Sequence, residues 1–280
     1  MTALALSWTA FLGPAQHGLP TLAADAVVVG AGVAYLAAVR RLSKRGRRWA
    51  PARIASFSCG LLVLLVAVGS RLARLDDIDL TDHVIQHVLI MMVGPPLLVL
   101  GAPGLLTAHL APRPLQVALL RARSSLPVRA LAGPAGWALY YGAMWACFAS
   151  PAFALSLHHP LFHGGEHVLL VALGCLFWSS VLKRTGRRGW PVVRRLAALV
   201  AGMPVEAALG AVLATAASPL PAMTLAGTHA GGEVFWMSAM AITGVALVGS
   251  LVDLAWREER RQQRLDARLD AAPHRPQPTG

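Results

Sequence analysis

The sequence predicts an all-α, polytopic membrane protein with seven transmembrane helices, the N-terminus outside and the C-terminus in the cytoplasm. Three observations predict this class. Of 280 residues, 56% are hydrophobic and 14% charged, and the mean hydropathy is +0.56, well away from soluble averages. Seven apolar runs approach the roughly 20 residues needed to cross about 30 Å of hydrocarbon. The basic residues between those runs fall almost entirely on alternate loops.

The runs lie at approximately 20–39, 54–71, 83–102, 131–149, 161–182, 196–216 and 232–252. The loop 40–53 carries seven Lys/Arg, 103–130 four, 183–195 six and the tail from 257 six, which is 23 of the 25 in the chain; the other two are Arg71 and Arg74. Positively charged loops remain cytoplasmic, so this split sets the orientation and makes the number of spans odd. The +12 formal charge is therefore a topology signal, and nucleic acid is not an expected partner. The lipid bilayer is.

Residues 1–19 open with MTALALSWTAFLGP, which has no basic leader and is stopped by Gly13-Pro14. They read as an external segment instead of a cleaved signal. Residues 20–256 form the seven-helix domain. The stretch 113–126, RPLQVALLRARSSL, reads as an amphipathic interfacial helix on the basic side. Residues 257–280 read as a charged cytoplasmic tail, helical at first and disordered over HRPQPTG. Cys59, Cys147 and Cys175 fall mid-span without CxxC spacing and read as small packing residues.

Runs three, five and seven all travel from outside to inside, so their first turns share one depth. His83 and His87 open the third, His163 and His167 the fifth, and His229 with Glu233 the seventh. Each pair is spaced i, i+4, which puts both groups on one helix face about 6 Å apart along the axis, a spacing from which two imidazoles can converge on one ion. Glu166, inside HGGEH, can ligate or orient a ring nitrogen. Met91 and Met237 follow eight residues after His83 and His229. Imidazole with thioether suits Cu(I), while imidazole alone also suits zinc and iron. Carboxylates inside a membrane are costly, which favours functional readings for Glu166 and Glu233. His17, His158 and His159 share the external side but read as interfacial anchors, and Glu206 in the sixth run has no assigned role. Pro95-Pro96 within the third run removes backbone donors and implies a kink, with a cavity or a close helix contact just below His87 and Met91.

The stretches TDHVIQHVLIMMVGPPLLVLGAP, HHPLFHGGEHVLLVALGCLFW and GTHAGGEVFWMSAMAITGVAL resemble the multi-pass CtaG family of bacterial cytochrome c oxidase assembly factors over roughly residues 80–250. The resemblance implies a role in assembling a haem-copper oxidase in the bacterial plasma membrane. It implies copper as the metal handled, an oxidase subunit as partner, no enzymatic activity, and His83, His87, His163, Glu166 and His167 as the metal region. Relatives often carry a Trp-His pair where this chain has Phe148-Ala149. Three other readings stay open. HGGEH matches the H-x-x-E-H pattern of zinc peptidases. Histidines on facing helices can also hold haem b, and a metal-free assembly scaffold needs none of these ligands.

Overall fold

A computed structural model of the chain describes residues 19–70, 72, 79–125, 130–131, 133–182 and 191–270; all of the expected external segment 1–19 but Leu19, and the end of the tail, 271–280, lie outside the described residues. The described residues are helical, without strands. In chain order the helices are α1 Leu19–Lys44, α2 Pro51–Gly69, α3 Leu80–Val88, a π-helical turn Leu89–Val93, α4 Gly94–Leu100, α5 Pro103–Leu110, α6 Arg113–Ser124, α7 Pro134–Ala149, α8 Pro151–His158, α9 Pro160–Leu182, α10 Val192–Ala214 and α11 Leu225–Asp270.

Among the described residues six helices are long and apolar enough to cross a membrane, the stretch Leu80–Leu110 counting as one of them. The expected fourth span is different in kind. α7 has 16 residues, roughly 24 Å of helix, and is bent from α8 by 70°. Counted as one broken span, the pair makes a seventh. The break has a local cause: Pro151 cannot extend the ladder of α7, and the Ser150 hydroxyl accepts from the Ala152 amide at 3.1 Å, capping α8. Apolar side chains stay exposed along the bundle's outer faces, among them Val27, Leu62, Val168, Val200 and Val245. Such a surface is expected where lipid replaces water.

Local chemistry explains the remaining boundaries. α3 starts where the Asp79 side chain accepts from the Thr81 amide at 2.7 Å. α4 ends at Gly101 and at Ala102, whose φ of 53° is left-handed. The Gly101 carbonyl accepts from Tyr35 Oη at 2.8 Å, and Tyr35 Oη in turn accepts from Trp49 Nε1 at 2.9 Å, so one buried trio ties α1, the basic α1–α2 loop and the end of α4 together. The stretch expected to lie at the interface is helical, as α6. α11 continues without interruption from the apolar span through Arg257 to Asp270, 46 residues in all, and is exposed from Leu254 through Ala267.

The main core lies between α3, α7, α9, α10 and α11, with Val84, Met92, Tyr140, Phe148, Phe153, Trp178 and Phe235 among its buried side chains. α10 and α11 approach closely because both present glycine: a Cβ on Gly210 would lie 2.6 Å from the Trp236 Cβ. Small residues at helix contacts of this kind are how membrane helices gain packing contact.

Candidate metal centre

The proline pair in the third span shapes the site. Pro95 has no amide hydrogen, so the Met91 carbonyl four residues earlier loses its α-helical donor. The backbone answers in two ways. Residues 89–93 widen into a π-turn in which the Gly94 amide reaches the Leu89 carbonyl, and Trp178 Nε1 of α9 donates to the Met91 carbonyl at 3.3 Å. α9 can come this near because residue 174 is glycine. A Cβ there would stand 2.7 Å from Pro95 Cγ and 2.8 Å from the Met91 oxygen. Gly174 is seven residues after His167 on α9, two helical turns along the same face, so the contact that satisfies the proline break also sets His167 against α3.

Four imidazoles meet as a result. The rings of His83 and His87 lie 4.3 Å apart, His163 and His167 4.2 Å, His83 and His163 5.4 Å and nearly parallel, and His87 and His167 5.4 Å. A nitrogen from each of His83, His87 and His163 falls within 4.8 Å of the others, a spacing that admits one metal ion between them. His83 and His87 are buried, and His163 and His167 are partly exposed. Both ring nitrogens of His87 and Nε2 of His167 are buried without a hydrogen-bond partner among the described residues. Buried polar nitrogens with no partner are costly, and a cation bound to the unprotonated nitrogen of each ring would satisfy that nitrogen. Phe148 and Phe153 stand edge-on to His83 at 5.9 and 5.2 Å. They come from either side of the α7–α8 break, so the bent helix walls off the buried half of the cluster.

The other expected site residues divide. Glu166 is half-buried on α9 beside the cluster. Its carboxyl faces the Cys147 thiol of α7, and its Oε2 is buried without a hydrogen-bond partner among the described residues. Met91 is buried just below His87. The third stretch turns its polar stripe elsewhere: His229 Nε2 donates to the Ala216 carbonyl at 2.9 Å, pinning the α10–α11 connection, Glu233 is exposed and Met237 is 60% exposed. α11 does face the centre, but through its neighbouring stripe. A Cβ on Gly231 would meet Leu80 of α3, and Phe235 closes the apolar floor under His87. The expectation that all three histidine stretches converge is thus met by two of them. The small-and-apolar stripe Thr228, Gly231, Phe235 and Ala239 packs inward, which leaves His229, Glu233 and Met237 on a different face. His158 and His159 are exposed.

The sequence reading took Cys147 for a packing residue and gave Met92 and Met144 no role; all three are buried beside His87. Their signal was present in MWACF, where Met144 and Cys147 are three residues apart and so share a face of α7. Glu206 also acquires a place: its Oε1 accepts from Tyr141 at 3.2 Å and from Thr243 at 2.9 Å, joining α7, α10 and α11 away from the histidines.

The arrangement is that of a helical membrane protein built around a buried imidazole cluster. The family described as cytochrome c oxidase caa3 assembly factor matches residues 33–257, and the chain belongs to that family. Among curated proteins it is similar to uncharacterized proteins of Mycobacterium bovis and Mycobacterium tuberculosis, each 25% identical over 94% of this chain and 44% of the relative. One from Mycobacterium leprae is 23% identical over 89% of this chain and 41% of the relative. The chain thus spans less than half the length of these relatives. No solved structure matches it significantly.

Proposed function

We propose that this assembly factor holds copper in the four-histidine cluster and passes it to a haem-copper oxidase subunit docked alongside in the bacterial plasma membrane. One observation carries the reading: His83, His87, His163 and His167 converge from two helices, with nitrogens of three of them within 4.8 Å and His87 buried without a hydrogen-bond partner among the described residues. Copper is cargo here, bound by imidazole lone pairs and released by ligand exchange, with no reaction catalysed. The two sides of the cluster suit that task. His83 and His87 are enclosed, whereas His163 and His167 are partly exposed and Gly164 and Gly165 have open space where a Cβ would sit, so an acceptor's ligands can approach from α9. The charge split of the loops puts this end of the bundle at the outer face, with the N-terminus outside and the C-terminus cytoplasmic.

The test is a Cu(I) titration of anaerobically purified, detergent-solubilised protein beside the double variant His87→Ala/His167→Ala, with total metal analysis of both. Wild-type protein should bind Cu(I) and the variant should lose at least about tenfold in affinity, about 1.4 kcal/mol. Equal binding by the two proteins would overturn the proposal. Zinc retained through purification, or haem absorbance, would instead favour a peptidase or a haem protein.

A further inference from the structure

Directly beneath the histidine cluster is a small cavity with room for about one water-sized particle. Its lining is unusual for a membrane core in carrying four sulfur side chains, Met91 and Met92 from the π-turn and Met144 and Cys147 from α7, with His87 as its nitrogen donor; the rest of the wall is apolar. The π-turn accounts for the methionine pair. One extra residue in the turn lets consecutive positions 91 and 92 both face inward, and both are buried. Met144 and Cys147 are one turn apart on the facing helix and are likewise buried.

We propose that this cavity is a second, sulfur-rich position for a soft monovalent cation, Cu(I), reached from the histidine cluster through His87. The inference rests on the copper reading of that cluster and names a further part of the path. Three of the four sulfurs are thioethers, soft donors that suit Cu(I), so the cavity favours the reduced ion over Cu(II). His87 borders both positions, and neither of its nitrogens is committed to a hydrogen bond among the described residues. A cation can therefore exchange one imidazole-rich set for a sulfur-rich one while keeping His87 as a ligand. The deeper position is shut off by Phe148, Leu170 and Phe235, which shields Cu(I) from water and oxidant until the cluster above is emptied.

X-ray absorption on Cu(I)-loaded protein separates this inference from the reading it rests on. The background chain carries Cys59→Ala and Cys175→Ala, since neither cysteine lines the cavity. Copper in that chain should show both nitrogen and sulfur neighbours. Met144→Leu/Cys147→Ala, changes close in volume, removes two of the four sulfurs and should cut the sulfur scattering by about half and weaken retention against a chelator at least about tenfold. His83→Ala/His163→Ala should keep the sulfur. A nitrogen-only spectrum in the background chain would overturn the sulfur position and leave the histidine site standing. Sulfur undiminished in Met144→Leu/Cys147→Ala would also overturn it, and a chain that binds no Cu(I) at all would overturn both.

Discussion

Gly174 of α9 lies against the Met91 carbonyl at the π-turn of the third span, where a Cβ would be 2.8 Å away. Everything above that contact depends on it, because His167 stands two turns up the same face. Gly174→Val should force α9 outward, at a cost of about 1–3 kcal/mol for overpacking, and should weaken copper binding although no ligand is touched. Thermal unfolding in detergent and a Cu(I) titration read the two effects. Unchanged copper affinity in a destabilised Gly174→Val protein would detach the cluster's geometry from this contact.

Trp178→Phe keeps an aromatic ring, smaller than indole, at this buried position, while the Met91 carbonyl loses the donor that replaces the missing Pro95 amide. An orphaned buried acceptor costs about 1–3 kcal/mol, which should appear as a lower unfolding midpoint. Restoring proton-donor capacity at the break with Pro95→Ala in the Trp178→Phe background should recover part of it.

Glu206 should behave as a structural carboxyl. Glu206→Gln keeps an acceptor for Tyr141 and Thr243 and should be nearly neutral. Glu206→Ala leaves two buried hydroxyls unmatched and should cost at least about 1–3 kcal/mol. Copper stoichiometry should be the same in both. A loss of copper in Glu206→Gln at wild-type stability would instead connect this carboxyl to the metal path.

His229→Ala tests the division of the histidines. The ring's bond to Ala216 ties the α10–α11 connection, so its removal should loosen that segment, visible as faster amide exchange near residues 214–228. Copper affinity should stay within about twofold of wild type, a difference near 0.4 kcal/mol. A drop comparable to that of the His87→Ala/His167→Ala protein would return His229 to the ligand set.

The helices and the two converging histidine pairs were legible in the sequence because hydropathy and i, i+4 spacing report directly on length and face. The break at Ser150-Pro151 was harder to read: a proline next to an apolar run gives the same local signal whether the helix ends or bends back, and the 70° turn comes with contacts of Phe148 and Phe153 on His83 that lie far off in sequence. The third histidine stretch was misleading for another reason. On α11 two adjacent stripes compete for the interior. Polar spacing drew attention to His229, Glu233 and Met237, but close approach to α3 and α10 selects the stripe with Gly231, Gly232 and Phe235. Cys147 read as packing and Met144 drew no reading, because buried sulfur in a span looks like filler until the facing helix is known.

The π-turn at Leu89–Val93 makes the third span a helix of two phases. Its histidine half and its proline half are out of register by one residue, about 100° of rotation, so no single helical wheel describes both. Deleting one residue between 89 and 93 would bring the span into one phase and swing either the imidazoles or the Gly174 contact away from α9. The insertion is thus a clutch between two functions of one helix, letting the metal-facing side be oriented independently of the side that anchors it.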